Sequence, residues 1–284
     1  MCITFFYFNR NVFANQYRFI LVFNRDEFYY RNTENAHFWK EFPTVIGGRD
    51  SESSSRGTWL AASTNGKIGA LLNIDDTSLN RNLKSRGVLV SEYVCGNLSP
   101  SEYIKKLSNN KKVYNGYNLL LFDLMSNESN NLAYTNANQG KFQETSIFPD
   151  GVHGISNTRV CTPYKKVEYG IQKFQNIAKK YNYVNKRNSL IEKLKKLLES
   201  TIKNYPDDLL YQIKKNKMKE NHIRELSSIF VKIPEASYGT RTHTIILVDH
   251  NNVMDYVEYS MNDANDLRNL KWVHQNFIVH LHQS

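Results

Sequence analysis

Hydrophobic and polar residues are spaced in two different ways along the chain. The runs at 2–8 and 17–23 are rich in Phe, Tyr, Ile and Val and are typical of largely buried strands joined by a polar turn. From position 164 apolar residues recur at the helical period, and after Pro234 the strand pattern returns. Hairpins dominate over regular strand–helix alternation, so the pattern predicts an α+β protein with antiparallel sheets and helices on their outer faces.

Turn and capping signals place further elements. Asn65-Gly66 predicts a hairpin between strands at 58–63 and 67–73. Ser99, Pro100 and Glu102 have the spacing of a capping box, which predicts a helix beginning at Pro100. The remaining predictions are helices at 86–94, at 100–107 and after Pro206, strands at 117–122, 132–136, 152–156, 242–248, 253–259 and 272–282, and a turn at 47–50.

Length and composition set the broad class. A chain of 284 residues with 40% hydrophobic content can bury a sizeable core, and no linker is evident. We therefore predict a single domain over residues 1–284, with a basic helical segment at about 164–220. No apolar run reaches the roughly 20 residues needed to span a bilayer. The N-terminal run also lacks the basic lead of a secretory signal, so the expected location is cytoplasmic, with mitochondrial or Golgi association left open.

The net charge of +10 is concentrated in one part of the chain. Residues 163–232 contain 17 Lys and Arg against 7 Asp and Glu, and the rest of the chain holds 20 of each sign. Lysine-rich solvated helix faces are common, and an anionic membrane surface is the partner that such helices could bind. No nucleic-acid partner is expected.

Three cysteines are present: Cys2, Cys95 and Cys161. Their odd number and the lack of a C-x-x-C spacing predict neither a disulfide framework nor a zinc site, so no metal is expected. Cys2 differs from the other two because it directly follows Met1 and begins the first predicted strand.

Cys2 could combine a nucleophile and a base in one residue. A thiol reacts as its thiolate, and with a free pKa of about 8.5 it needs a base or a cation nearby. If an aminopeptidase removes Met1, Cys2 gains an α-amine with a pKa of about 7.7, which is the arrangement of N-terminal-nucleophile hydrolases. The plain alternative is a cysteine that packs as a small hydrophobic residue.

Polar residues at predicted strand ends could complete a site around Cys2. Arg25 offers a cation for the thiolate, and Asp26 an acceptor for the ammonium group. Asn73 and Asn157 each follow an apolar strand and could donate to an oxyanion, and Arg241 precedes a buried strand. A structural ion pair for Arg25 and Asp26, and turn capping for the others, are the alternatives.

Several separated motifs resemble a known family. They are Met1-Cys-Ile3, the stretch from Asn24 to Tyr29, Gly57-Thr-Trp-Leu60, Tyr114-Asn-Gly-Tyr-Asn118, Gly154-Ile-Ser-Asn157 with Thr162-Pro163, and Tyr238-Gly-Thr-Arg-Thr242 leading to 244–249. On these motifs the chain is identified as a member of the transport and Golgi organisation protein 2 family, also called NRDE proteins. Asn32 stands where this family usually has proline, and His243 where it commonly has a polar amide.

The resemblance implies an N-terminal-nucleophile-hydrolase-like αββα four-layer sandwich of antiparallel sheets. It also implies kinship with cysteine amidases that cleave penicillin V, bile-salt conjugates and ceramide. In that pattern the catalytic positions are matched by Cys2 (nucleophile), Arg25 and Asp26 (its cation and ammonium partner), Asn73 and Asn157 (oxyanion hole) and Arg241 (second active-site arginine). The adjacent Arg25 and Asp26 depart from the amidase arrangement.

The resemblance leaves two functions open. Its implied roles are Golgi organisation, lipid and acyl-CoA homeostasis, and haem trafficking. One interpretation is a cysteine hydrolase of amide or thioester bonds, which requires no cofactor. The other is a non-enzymatic carrier of haem or acyl-CoA, with Cys2 or one of the eight histidines as an axial haem ligand. His280 and His282 lie two apart on a predicted strand and are expected to point the same way, away from the core.

Overall fold

The computed structural model describes residues 1–52, 55–74, 79–80, 82–109, 114–126, 132–138, 141–146, 148–261 and 271–282. The strands of this part of the chain are β1 Ile3–Phe8, β2 Tyr17–Phe28, β3 Thr33–Trp39, β4 Phe42–Asp50, β5 Leu60–Ser63, β6 Lys67–Asn73, β7 Tyr117–Asp123, β8 Leu132–Asn138, β9 Lys141–Ser146, β10 Gly151–Ile155, β11 Lys232–Ile233, β12 Tyr238–Asp249, β13 Val253–Met261 and β14 Trp272–His280. The helices are α1 Val88–Cys95, α2 Pro100–Ser108, α3 Lys165–Tyr181, α4 Arg187–Leu198, α5 Asp208–Lys214 and α6 Glu220–Leu226.

The strands form two sheets of seven strands each within the described residues. One has the order β10-β1-β2-β12-β13-β14, with β11 also pairing with β12, and the other runs in sequence from β3 to β9. In the first sheet β2 pairs antiparallel with β1 and β12, as do β1 with β10 and β12 with β11 and β13; all successive pairs of the second sheet are also antiparallel. The predicted α+β class with antiparallel sheets is confirmed.

Contacts divide the chain into two compact units. Unit 1 comprises residues 1–31 and 149–278, and unit 2 comprises residues 32–148 and 279–284. The single-domain prediction stays a prediction. Over the described residues, no helix is both long and apolar enough to cross a membrane.

The core of unit 1 lies between its sheet and the basic helices. Helices α3 and α4 pack on β1, β2, β10 and β12, and the Phe5 and Phe174 rings stack with centroids 6.1 Å apart. Gly170 of α3 faces the Phe5 ring so closely that a Cβ at this position would overlap it. The lysine-rich helices therefore cover apolar sheet residues with one face and present their charges mainly on the other.

The core of unit 2 is formed by helices α1 and α2 against its sheet. Tyr93 and Tyr103 are both buried there, and their hydroxyls donate to the backbone oxygens of Phe122 and Leu89 at 2.9 and 3.0 Å. Each large ring thus fills the core while its polar end is hydrogen-bonded.

The predicted hairpin turn and the predicted start of the second helix are both confirmed. Asn65-Gly66 forms the turn between β5 and β6. Ser99 Oγ accepts from the Glu102 amide at 3.4 Å, and a Glu102 carboxylate oxygen accepts from the Ser99 amide at 2.8 Å, so α2 begins with the predicted capping box.

The turn predicted at 47–50 is wrong. These residues lie within β4, which pairs with β3, a strand that the sequence pattern did not predict. A Cβ on Gly47 would lie 2.8 Å from the Leu60 carbonyl oxygen of β5. This glycine therefore allows close approach of a neighbouring strand, and the sequence does not distinguish that requirement from a turn.

Two strands extend further than predicted. β2 continues to Phe28 and does not end before Asn24, and β12 begins at Tyr238, so that Arg241 lies inside a strand. Their polar ends pair with each other, with Asp26 opposite Thr240. Charged residues suggested strand ends, but here Asp26 and Arg241 are buried in the sheet, because Asp26 accepts from Thr240 and Arg241 donates to backbone oxygens. The first helix also begins at Val88, two residues after the predicted start.

Candidate functional site

Cys2 lies at the start of β1, beside the polar end of β2. The pairing of Ile3 with Asn24 brings the Cys2 thiol to 3.9 Å from the backbone oxygen of Asp26, to which it donates. On the other side of β1, Ser156 Oγ donates to the Cys2 carbonyl oxygen at 2.7 Å. Burial raises the pKa of the Cys2 thiol, and the terminal ammonium and Arg25 oppose this rise. The thiol therefore needs a proton acceptor before it can react at neutral pH.

The N-terminal amine is buried against a carboxylate. The Met1 nitrogen lies 3.5 Å from Asp26 Oδ2 and donates to the Tyr238 hydroxyl, which in turn donates to the Asp26 backbone oxygen at 3.4 Å. Met1 itself is only 5% exposed. With Met1 in place, the Cys2 nitrogen belongs to a peptide bond and cannot act as a base.

Asp26 is the carboxylate at the centre of this cluster. Its Oδ1 accepts from Thr240 Oγ1 at 2.6 Å. Burial raises the pKa of Asp26, and the terminal ammonium, Lys166 and the Thr240 hydrogen bond act in the opposite direction. Asp26 is therefore a buried acid whose charge depends on the cations around it.

Lys166 is a member of the cluster that sequence reasoning missed. Its side chain is completely buried, and Nζ donates to the backbone oxygen of Ser228 at 3.2 Å. A usable signal exists, because Lys166, Gly170 and Phe174 are spaced by four and share the buried face of α3. A lysine in an apolar row of a helix is uncommon without a nearby partner.

Arg241 occupies a bulge in β12. Thr240 pairs with Asp26 and Thr242 with Arg25, so the register shift leaves Arg241 as the extra residue. Its Nη1 donates to the backbone oxygens of Phe28, at 3.2 Å, and Arg31.

The two buried arginines act on each other electrostatically. Burial, and then the charge of Arg25, lower the pKa of Arg241 to about 10, so the guanidinium still carries its charge at neutral pH. Arg25 is itself buried, with Nη2 3.8 Å from Glu27 Oε2. Arg25 and Arg241 therefore place positive charge at the end of the sheet that holds Cys2.

Asn24, the first residue of the Asn-Arg-Asp-Glu motif, has a structural position. Its Nδ2 donates to the backbone oxygens of Leu198 and Ile229 at 2.8 and 3.0 Å, and its Oδ1 lies 2.6 Å from His243 Nδ1. Burial lowers the pKa of His243 to about 3, so the neutral ring donates from Nδ1. The His243 ring also stacks on Trp272 at 4.7 Å. Asn24 thus joins the sheet to the end of α4.

The two predicted oxyanion-hole asparagines lie in different units. Asn157 is buried directly after β10 in unit 1, with Oδ1 3.3 Å from Ser156 Oγ, close in sequence to the residue that contacts Cys2. Asn73 ends β6 in unit 2 and is exposed. Unit 1 thus contains Cys2 and four other predicted site residues, Arg25, Asp26, Asn157 and Arg241. The catalytic roles of all six stay predictions.

Among the described residues, no group of three or more His, Cys, Asp and Glu side chains is arranged to hold a metal ion. His280 and His282 are exposed, and His282 Nδ1 lies 3.4 Å from the His280 backbone oxygen. A haem ligand role for Cys2 or these histidines stays a prediction.

Comparison with known proteins decides the family. The family described as Transport and Golgi organisation 2 matches residues 1–263. The chain belongs to this family. Transport and Golgi organization protein 2 homologs of Bos taurus and Homo sapiens are 35% and 34% identical to it, over 92% and 93% of this chain and 93% and 94% of theirs. The Drosophila melanogaster protein is 32% identical over 92% of each chain.

Solved structures give weaker likenesses to this family member. A Caenorhabditis elegans N-acylethanolamine-hydrolyzing acid amidase ortholog aligns with a TM-score of 0.49 and 10% identity, over 87% of this chain and 92% of that one. The C2A mutant of the conjugated bile acid hydrolase from Clostridium perfringens aligns with a TM-score of 0.43 and 9% identity, over 100% and 98%.

Proposed function

We propose that this Transport and Golgi organisation 2 family protein is a cysteine hydrolase that cleaves amide or thioester bonds after loss of Met1. The observation that carries the proposal is the buried cluster at the start of β1. There the Cys2 thiol contacts the Asp26 backbone, and the chain's terminal ammonium lies 3.5 Å from the Asp26 carboxylate. A nucleophile, an amine and a carboxylate within one buried cluster are the components of N-terminal-nucleophile catalysis.

Loss of Met1 would move the free amine onto the nucleophile's own residue. The Cys2 α-amine would then take the thiol proton, and the thiolate would attack the acyl carbon. The amine would return this proton to the departing nitrogen or sulfur, leaving a thioester on Cys2, and water would hydrolyse the thioester with the same amine as base. The carboxylate of Asp26 would hold the amine in position.

Two groups of neighbours would stabilise the developing charges. Arg25 lowers the pKa of the Cys2 thiol, although burial keeps this pKa above its usual range. Asn157, buried after β10 in the same unit as Cys2, is the proposed donor to the oxyanion. Arg241 adds a second positive charge close to Arg25.

The cellular part of the proposal follows the family. Its name supports a role in Golgi organisation, and we propose lipid or acyl-CoA homeostasis as the setting in which an acyl bond is cleaved. The basic helices α3–α6 are the proposed contact to an anionic membrane surface, with a cytoplasmic location and mitochondrial or Golgi association.

Mass spectrometry of the intact protein from its native cell tests the first requirement. The proposal expects a chain that begins at Cys2. A fully retained Met1 would exclude the mechanism, because no free amine would then exist on the nucleophile.

Acyl-substrate profiling tests the chemistry. Wild type is compared with Cys2→Ala and with Cys161→Ala, which removes an exposed thiol of the same unit. We expect Cys2→Ala to lower kcat/KM by roughly a thousandfold or more and Cys161→Ala to have no effect. Turnover that survives in Cys2→Ala would refute the nucleophile assignment.

A further inference from the structure

Three aromatic side chains of unit 1 form a row that leads from the surface to the cluster. Tyr30 is 70% exposed and Phe28 is 41% exposed. Their rings stack with centroids 5.3 Å apart and planes at 20°, and the edge-to-face contact of Phe28 with Tyr238 is also 5.3 Å. We refer to Tyr30, Phe28 and Tyr238 as the aromatic row.

The inner end of the aromatic row reaches the proposed reacting centre. The Tyr238 hydroxyl accepts from the terminal amine and donates to the backbone oxygen of Asp26. The same oxygen accepts from the Cys2 thiol. A molecule lying on the row would therefore have one end near the thiol and the rest along the exposed rings.

The backbone that carries the row is held by several hydrogen bonds. Arg241 Nη1 donates to the carbonyl oxygens of Phe28 and Arg31, and the Tyr29 amide donates to the Ser237 oxygen at 2.7 Å. Tyr29 itself is buried, and its hydroxyl fills the space where a Cβ on Gly239 would lie. The two exposed rings are thus displayed on a fixed segment, which reduces the entropy cost of binding a ligand.

Exposed large apolar side chains are common singly, but a contiguous group beside a reactive centre indicates a binding surface. The aromatic row presents apolar ring faces and edges, and only its two tyrosines carry hydroxyl groups. Such a surface favours an extended hydrocarbon chain, because each methylene that it removes from water adds to the affinity.

We propose that the aromatic row binds the hydrocarbon chain of the substrate's acyl group, and so selects long-chain acyl amides or thioesters. This inference rests on the proposed hydrolase function. The acyl group is transferred from the leaving group to Cys2 in the first half-reaction and from Cys2 to water in the second, so one subsite beside the thiol would hold it in both steps.

The test compares Phe28→Ser/Tyr30→Ser with wild type on hexadecanoyl and butanoyl thioesters of N-acetylcysteamine. We expect kcat/KM for the hexadecanoyl thioester to fall by roughly tenfold or more, and that for the butanoyl thioester to stay unchanged. The single variant Tyr30→Ser, which changes the most exposed ring, is expected to show part of the effect. An equal loss on both substrates would overturn the proposal.

A matched control is available at the opposite end of the same hairpin. Phe13 is 80% exposed and lies in the connection between β1 and β2, away from the strand end that holds Cys2. Phe13→Ser is expected to leave both rates unchanged. If it lowers the hexadecanoyl rate as much as the double variant does, the effect is general surface hydrophobicity and the proposal is wrong.

Binding of a fluorescent polyene fatty acid separates this inference from the hydrolase proposal. In a Cys2→Ala background, the Phe28→Ser/Tyr30→Ser change should weaken the probe's Kd by roughly tenfold, whether or not turnover is ever observed. Unchanged probe binding would refute the subsite. Loss of binding to phosphatidylcholine vesicles with unchanged probe binding would assign the row to a membrane contact and would also overturn the proposal.

Discussion

Lys67 is buried in unit 2 and Lys166 in unit 1, and the groups around their ammonium groups differ. Lys67 begins β6 in unit 2, and its Nζ donates to the backbone oxygens of Gly96 and Leu98 at 2.8 and 2.6 Å. Gly96 caps the C-terminus of α1, where carbonyl groups lack helical partners and attract a cation. Lys67 thus has a position typical of a residue that stabilises a fold.

Lys166 combines such a backbone contact with an electrostatic one. Its Nζ donates to the backbone oxygen of Ser228, and its charge also lowers the pKa of Asp26, the buried carboxylate beside the terminal ammonium and Cys2. The difference teaches that burial of a lysine does not by itself indicate function. What distinguishes Lys166 is that the carboxylate it acts on, Asp26, is buried beside the terminal ammonium and Cys2. The carboxylates that act on Lys67, those of Asp123 and Glu102, are instead half-buried and exposed.

The largest effect is expected from Asp26→Asn, which removes the negative centre of unit 1. The amide cannot neutralise the terminal ammonium, so we expect kcat/KM for acyl substrates to fall by about 10²- to 10⁴-fold. Asp255→Asn is the control, because it breaks another ion pair of unit 1, in which the buried Asp255 lies 2.6 Å from the half-buried Arg187. Asp255→Asn should lower thermal stability and leave activity unchanged; equal losses of activity in both variants would contradict the role of Asp26.

Lys166→Met should affect both stability and the pH dependence of activity. Loss of the cation removes one of the influences that lower the pKa of Asp26, so this pKa rises further. Activity needs the carboxylate form, and its acid limb should therefore move to higher pH. Loss of the hydrogen bond to Ser228 should also cost about 1–3 kcal/mol of unfolding free energy. A pH–rate profile identical to that of wild type would reduce Lys166 to a structural residue like Lys67.

His243→Gln should change the dependence of stability on pH. Burial lowers the pKa of His243 from 6.5 to about 3. Below pH 6.5 the imidazole therefore binds a proton in the unfolded chain but stays neutral in the folded protein. The unfolding free energy therefore falls as pH drops below about 6.5, by up to ~1.4 kcal/mol per pH unit. A Gln amide can still donate to Asn24 and does not titrate. Urea unfolding between pH 6 and pH 4 should show a flatter slope in the variant, and an unchanged slope would contradict the assignment.

Lys67→Met should lower stability and leave activity unchanged. Two carbonyl oxygens near the end of α1 would lose a charged donor, at a cost of about 2 kcal/mol in unfolding free energy. Activity and its pH profile should stay as in wild type, as measured with the same substrates as for Lys166→Met. A shifted pH profile in Lys67→Met would remove the contrast between the two lysines.

The sequence by itself determined the features that depend on residues close together along the chain. Asn65-Gly66 predicted a hairpin because few residues adopt its turn geometry, and Ser99 to Glu102 predicted a helix start because capping needs a fixed spacing. The motif at 24–27 and the position of Cys2 after Met1 identified the family and the candidate nucleophile.

Only the tertiary structure decided how the polar residues meet. The bulge that holds Arg241 exists because β12 pairs with β2, strands that lie more than two hundred positions apart in the chain. Lys166 reaches the surroundings of Asp26 because α3 packs on this sheet. Asn24 belongs to the family motif, yet its contacts with Leu198 and Ile229 are those of a structural anchor. Local spacing cannot specify such long-range pairings, since they depend on the register between strands and on which helix face the core buries.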